Sequence, residues 1–200
     1  MTYRRVIEWP DKRLSCTSKP AVFGTDDQAF EDLVDTFRVT GGYGLAAPQI
    51  GLQIRAVIIN AQQLGTGEEV ELLMINPEII ERTGVSLFEE ACFSMPQMSL
   101  KVSRDHKIKV RWLSRDNELH EREFTGYASA CVQHEIDHLD GKLMLDRLSQ
   151  LRRSMILKKM NKKSRKEAIA SKPDKEVLSK RKSASTKKRL RAARKSKKKS

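Results

Sequence analysis

The segment Gln133-His134-Glu135-Ile136-Asp137-His138 lies in a stretch whose apolar spacing predicts a helix over residues 126–139. Residues four apart share one face of a helix, so the imidazoles of His134 and His138 can reach the same metal ion. Glu135, next to the first histidine, can approach a water molecule at that metal. The alternative is that both histidines simply satisfy their hydrogen bonds on a partly buried helix.

A third metal ligand has two candidates, because a catalytic site uses three protein ligands and keeps one position open. If Cys131 were the third ligand, all three ligands would lie along two turns of one helix, which is a poor arrangement for tetrahedral coordination. Cys131 is better explained as a small buried apolar residue. Cys92 lies in residues 89–96, between predicted strands, where a loop can carry it across the helix. We therefore expect Cys92, His134 and His138 to hold the metal.

The pattern upstream of this helix changes from helical to extended. From about Asp26 the apolar residues recur at helical spacing, at Phe30, Leu33, Val34 and Phe37. After Gly41-Gly42, strand patterns follow at residues 54–60, 72–75, 108–112 and 119–124. This order favours an α+β fold, with mixed or antiparallel strands packed around a central metal-binding helix and a C-terminal helix and basic tail beyond it.

The two ends of the chain differ strongly in charge. Of the 200 residues, residues 151–200 contain 22 basic and 3 acidic side chains, a net of +19, whereas residues 1–150 carry a net of −6. We expect a catalytic domain over residues 1–150, a helical extension over 151–161 and a basic, disordered tail over 162–200. Such a tail attracts polyanions, with an affinity that falls as salt rises. A solubilising arm, a membrane-surface anchor and a localisation signal are the alternatives.

Cysteine usage and hydropathy indicate the compartment. Cys16, Cys92 and Cys131 are odd in number and widely spaced, which argues against a disulfide framework. No apolar run approaches the roughly 20 residues that span a bilayer. The first residues also lack the apolar core of a signal peptide. We expect a cytoplasmic protein.

Three segments resemble the motifs of peptide deformylases, in the same order and at the same spacing. They are Gly42-Tyr43-Gly44-Leu45-Ala46-Ala47-Pro48-Gln49, Glu90-Ala91-Cys92-Phe93-Ser94 and His134-Glu135-Ile136-Asp137-His138. Residues 10–14 also resemble the family's N-terminal strand, so the resemblance covers about residues 6–148. Ala91 stands where the family usually has glycine and Phe93 where it has leucine, and neither change removes a metal donor.

This resemblance implies hydrolysis of the N-formyl group of formyl-methionine on nascent peptides. Glu135 would act as the general base, while the side chain of Gln49 and the backbone N–H of Phe93 would stabilise the oxyanion. Gly44 would pair with the substrate backbone, and Ala91 would lie close to it. The candidates for the methionine pocket, carried over from similar proteins, are Tyr43, Phe88, Tyr127, Ala130 and Cys131. As an alternative, such residues are often plain core.

The sequence does not determine which metal ion is bound. One cysteine and two histidines suit Zn²⁺ and Fe²⁺ alike. The resemblance implies Fe²⁺ as the working ion, with Zn²⁺ or Ni²⁺ as alternative occupants. Glu90 and Asp137 are candidates for holding the ligands in place, with Arg104 as counter-charge, although either can equally be a surface charge. We expect a monomer that acts on the formyl-methionyl nascent peptide. Because similar deformylases dock on the ribosome through a C-terminal helix, the resemblance also implies that the basic tail binds ribosomal RNA.

Two other functions compete with this interpretation. An H-E-x-x-H metallopeptidase would share the metal and the base, but it usually recruits a third ligand downstream, where only Asp140 and Asp146 follow closely. A nucleic-acid-binding protein with an inactive deformylase-like head would place the function in the tail. The presence of Gln49 and Glu135 together with all three ligands argues against it.

Overall fold

The structure is a computed structural model that describes residues 2–67, 70–96 and 98–170, with the backbone alone for residues 161–170. The chain divides into two compact units, Met1–Ser149 and Gln150–Ser200. The predicted disorder of residues 171–200 lies outside the described residues. The proposed boundaries at residues 150 and 161 stay predictions.

The first unit contains one antiparallel sheet of five strands in the order of the chain. The strands are β1 (Gly44–Ala46), β2 (Ala56–Ile59), β3 (Leu72–Ala91), β4 (Ser99–Leu113) and β5 (Leu119–Thr125). Together with the helices, this sheet confirms the α+β prediction. The predicted strand at residues 72–75 is only the start of β3, because β-bulges near Ile75 and Ile79 interrupt the alternation of apolar residues farther on.

The described part of the chain contains four α-helices, three in the first unit and one in the second. They are α1 (Asp27–Thr40), α2 (Ala61–Leu64), α3 (Gly126–Leu139) and α4 (Gln150–Ala170). The bounds of α3 match the helix predicted over residues 126–139, whereas α4 continues past the predicted end near Asn161. Three short 3-10 helices cover Lys12–Ser15, Ala47–Ile50 and Met144–Arg147. The segment predicted as an N-terminal strand at residues 10–14 therefore turns instead, because the Asp11 carboxylate accepts a hydrogen bond from the Arg13 backbone N–H.

Both faces of β2 are buried, which explains its continuous apolar run. Val57 and Ile59 pack in one cluster with residues of α3, including Val132 and Ile136. Ala56 and Ile58 pack in a second cluster with residues of α1: Phe30, Leu33, Val34 and Phe37. From Ala128 to Leu139 every residue of α3 is buried. The polar side chains on this helix are thus held inside the protein, where their hydrogen bonds must come from neighbouring elements.

The second unit is described through α4 alone, whose Leu151 and Met155 are exposed. None of the helices that the structure describes has both the length and the apolar character to cross a bilayer.

Candidate metal centre and active site

The helix α3 and the end of β3 bring three metal-ligating side chains together. His134 and His138 lie one turn apart on α3, with ring centroids separated by 4.9 Å. Cys92 directly follows β3, and its Sγ lies 3.2 Å from His138 Nε2. One ligand atom from each of the three residues lies within 4.8 Å of the others. The structure thus assembles the expected group with Cys92, and Cys131 is not part of it.

The chemistry of this group suits a divalent cation. Although burial opposes ionisation of the Cys92 thiol, the adjacent imidazoles of His138 and His134 lower its pKa well below the usual range. A thiolate with two imidazoles is a donor set for borderline metals such as Zn²⁺ and Fe²⁺. All three residues are buried, so these donors have lost most of their contact with water. The donor types, their spacing and the thiolate together fit a metal ion.

Glu90 orients the first histidine. His134 Nδ1 lies 2.8 Å from Glu90 Oε2. Although burial opposes ionisation of Glu90, hydrogen bonds from Arg104 and His134 lower its pKa. The Glu90 carboxylate therefore accepts a hydrogen bond from the Nδ1–H of His134. The opposite nitrogen, Nε2, is left with its lone pair free for a cation. His138 differs, since its Nδ1 is buried and contacts no hydrogen-bond partner among the described residues.

Glu135 is the base that the motif predicts, and its surroundings are unusual. The side chain is buried, and its Oε2 has no hydrogen-bond partner in the described part of the chain. Burial raises the pKa of Glu135 to about 7, against the opposing charges of His134 and His138. A carboxyl group with a pKa near neutrality can both take up and release a proton, as general acid–base catalysis requires.

The side-chain amide of Gln49 points into the site because its other end is held. Gln49 follows β1 in a 3-10 helix, and its Oε1 accepts a hydrogen bond of 2.8 Å from the Ala46 backbone N–H. Its Nε2 therefore faces the opposite way, 3.5 Å from Cys92 Sγ and 3.4 Å from Ser94 Oγ. This fixed orientation offers an N–H donor beside the metal group.

The two departures from the second motif are accommodated locally. Ala91 ends β3 opposite Ser99, and it is not among the residues with positive φ, so glycine is not required there. The Phe93 ring rests on Gly42, where an added Cβ would stand only 2.7 Å from the ring. The larger side chain at position 93 thus packs on a position that has no side chain.

A cavity of about 360 Å³ lies beside the metal group and contains most of the predicted site residues. Those predicted and found in its lining are Tyr43, Gly44, Gln49, Ala91, Cys92, Phe93, Tyr127, Ala130, Cys131, His134 and Glu135. The metal ligand His138 is not in the lining, and neither is Phe88. The Phe88 ring instead stacks with the ring of His106, with centroids 6.5 Å apart, because it lies farther back on β3. The lining also contains four residues that were not predicted, Gly42, Met95, Pro96 and Met98, and the last three lie within four residues of the second motif.

Comparison with known proteins agrees with this arrangement. The family model described as polypeptide deformylase matches residues 3–154. A peptide deformylase of Alkalilimnicola ehrlichii is 38% identical over 159 residues, which cover 78% of this chain and 88% of that relative. The chain belongs to the peptide deformylase family.

Solved deformylase structures have the same fold. The crystal structure of a peptide deformylase from Legionella pneumophila is 36% identical, with a TM-score of 0.72 over 86% of this chain and 100% of the other. A Met-Ala-Ser-bound deformylase from Acinetobacter baumannii is 29% identical, with a TM-score of 0.66 over 74% of this chain and 99% of the other. The deformylase reaction uses one divalent metal ion, and Cys92, His134 and His138 form the corresponding group in this chain.

Proposed function

We propose that this chain removes the formyl group from peptides that begin with formyl-methionine, with Glu135 as the general base. The observation that carries the proposal is the position of Glu135. Glu135, whose buried Oε2 has no hydrogen-bond partner among the described residues, lines the same cavity as the metal ligands Cys92 and His134. A carboxylate without a partner in such a place has a free acceptor site for a water molecule.

The reaction is the hydrolysis of an amide. A divalent cation bound by Cys92, His134 and His138 supplies Lewis-acid activation of water and of the formyl carbonyl. Glu135 takes a proton from the attacking water while a bond forms between the water oxygen and the formyl carbon. Glu135 then gives that proton to the nitrogen of methionine as the carbon–nitrogen bond breaks. Formate and a free amino terminus are released.

Two donors are positioned for the negative charge that develops on the formyl oxygen. Gln49 Nε2 is oriented by the hydrogen bond that its Oε1 accepts from Ala46. The second donor is the backbone N–H of Phe93, next to the ligand Cys92. Preorganised donors of this kind need no rearrangement during the reaction.

Substrate selection rests on the apolar part of the cavity. Tyr43 and Tyr127 are exposed residues of its lining and meet edge to face, with ring centroids 5.2 Å apart. Ala130 and Cys131 line it from α3. An unbranched methionine side chain fits such an apolar lining. Gly44 lies in β1, the terminal strand of the sheet, whose outer edge can pair with an extended peptide. The peptide Met-Ala-Ser, bound by the deformylase of A. baumannii, is what remains when formyl-Met-Ala-Ser loses formate.

The working metal is Fe²⁺ in this proposal, with Zn²⁺ and Ni²⁺ as alternative occupants. The family resemblance favours iron, whereas one thiolate and two imidazoles accept all three ions. Iron content measured after anaerobic purification, compared with activity for each ion, tests the choice.

The basic tail is the proposed ribosome anchor of a monomeric, cytoplasmic enzyme. Residues 151–200 carry a net charge of +19, which attracts RNA phosphate without sequence preference. No aromatic residue follows Leu151, so stacking on bases does not contribute. An enzyme held at the ribosome meets formylated chains at a higher local concentration.

Incubation with formyl-Met-Ala-Ser tests the proposed reaction. The metal-loaded chain should release one formate per peptide and leave acetyl-Met-Ala-Ser intact, and Glu135→Ala should abolish the release. A longer peptide cut at internal bonds would instead indicate a metallopeptidase. Binding to RNA without any formate release would indicate an inactive deformylase-like protein.

A further inference from the structure

A row of ion pairs leads from His134 to Arg147, which lies near the C-terminal end of the first unit in the sequence. His134 Nδ1 contacts Glu90, whose two carboxylate oxygens accept hydrogen bonds of 2.7 and 3.0 Å from Arg104 Nε and a terminal nitrogen of Arg104. The other terminal nitrogen of Arg104 lies 2.5 Å from Asp137 Oδ2. Asp137 in turn accepts two hydrogen bonds from Arg147, one of them 2.8 Å long from Nε.

Arg147 is the last member of this row and the only one near solvent. The side chains of Glu90, Arg104 and Asp137 are at most 5% exposed, whereas that of Arg147 is 37% exposed. Arg147 ends the 3-10 helix Met144–Arg147, outside the three deformylase motifs. Its side chain reaches back to α3 at the turn between the two histidine ligands.

The charges of the row balance only when Arg147 is included. Asp137 contacts two guanidinium groups, because its Oδ2 accepts hydrogen bonds from Arg104 and Arg147 and its Oδ1 accepts one from Arg147. Without Arg147, the carboxylates of Glu90 and Asp137 would share the single guanidinium of Arg104. An unpaired buried charge is strongly unfavourable, so the remaining side chains would shift or admit water.

We infer that Arg147 is a positioning residue for the metal ligand His134. Arg147 contacts both carboxylate oxygens of Asp137 and so fixes the orientation of that carboxylate, which contacts one terminal nitrogen of Arg104. The other two nitrogens of the Arg104 guanidinium then hold Glu90 in place. Glu90 fixes the ring and tautomer of His134. Partners behind a metal-binding histidine tune how long the metal stays bound. The inference rests on the metal centre of the proposed function.

The test uses the full chain loaded with Zn²⁺ and three variants. Arg147→Gln removes the positive charge and the guanidinium donors. Arg147→Lys keeps the charge but loses the bidentate contact with Asp137. Arg111→Gln is the matched control, because Arg111 is similarly exposed and pairs with Glu121 on the outer surface of β4 and β5. Zinc release to a chromogenic chelator is measured under conditions where each variant is folded. The NMR signal of the His134 Nδ1 proton is recorded in parallel.

Arg147→Gln should release zinc about tenfold faster than the unaltered chain, at the lower end of the effects known for residues behind metal ligands. Arg147→Lys should lie between them, and Arg111→Gln should match the unaltered chain. The Nδ1 proton of His134 should exchange faster with water in both Arg147 variants. The inference would be overturned if Arg147→Lys, alone or together with Arg147→Gln, released zinc at the same rate as the unaltered chain and left the His134 Nδ1 proton signal unchanged. A lower melting temperature would not rescue it. An unaltered chain that binds no zinc would instead contradict the metal centre itself.

Discussion

The carboxylate of Glu135 lies directly against the Cα atom of Gly44. A Cβ added to Gly44 would stand 2.7 Å from Glu135 Oε1 and 2.8 Å from its Cγ, closer than side-chain atoms pack. The resemblance to deformylases implies that Gly44 contacts the substrate backbone. The structure adds a second requirement, because the side chain of the proposed base occupies the space that any larger residue would fill.

Gly44→Ala should therefore lower kcat by about 10²-fold, because an error of about 1 Å in a catalytic group costs that much. Gly44 does not have a positive φ, so the cause would be the contact with Glu135 rather than backbone strain. Steady-state kinetics and metal analysis on the same preparation check this. Metal content should be unchanged. A raised KM with normal kcat would mean that Gly44 serves substrate pairing alone.

The metal ligands are tested by four alanine variants. Cys92→Ala, His134→Ala and His138→Ala should each abolish metal binding, because each removes one of only three protein donors. Cys131→Ala should keep the metal, since Cys131 lies outside the group that the three ligands form. Elemental analysis of the purified variants provides the measurement. A full site in Cys92→Ala and an empty one in Cys131→Ala would reverse the assignment.

Gln49→Ala should lower turnover by about 10²-fold or more with little change in metal content, because one oriented oxyanion donor is lost. Gln49→Glu is the sharper variant. It keeps the oxygen that accepts the Ala46 N–H but replaces the donor with a second acceptor. Both variants should show a fall in kcat. A near-normal rate in either would remove Gln49 from the mechanism.

Truncation after Lys159 should leave hydrolysis of short formyl-peptides nearly unchanged, because the cavity and its ligands lie in the first unit. The same truncation should weaken co-sedimentation with ribosomes at low salt. For the full chain, this co-sedimentation should fall steeply as salt rises, since the attraction is to phosphate. If both forms co-sediment equally, the tail is not the ribosome anchor.

Much of the metal site could be predicted from sequence because its determinants are local. The spacing of His134 and His138 follows from one helical turn, and α3 begins and ends where its pattern and flanking glycines indicate. Cys92 could be chosen over Cys131 because helix geometry excludes three ligands in a row. The resemblance to deformylases then supplied Gln49, which no spacing rule would have linked to Cys92.

Features that depend on distant contacts could not be predicted in this way. The resemblance places Phe88 in the methionine pocket, and no sequence pattern indicates that its ring stacks with the ring of His106 on the neighbouring strand. The contact between Gly44 and Glu135 joins residues 91 positions apart in the chain. Arg147 has no pattern that would connect it with His134, because the connection passes through three other side chains.

The most direct test is formate release by the metal-loaded chain and by Glu135→Gln, with formyl-Met-Ala-Ser as substrate. Glutamine keeps the size of the side chain against Gly44 but cannot accept a proton from water. The unaltered chain should release formate, and Glu135→Gln should retain its metal and react at least about 10²-fold more slowly, as expected when a general base is lost. A metal-loaded chain that releases no formate, or a variant as fast as the unaltered chain, would contradict the account.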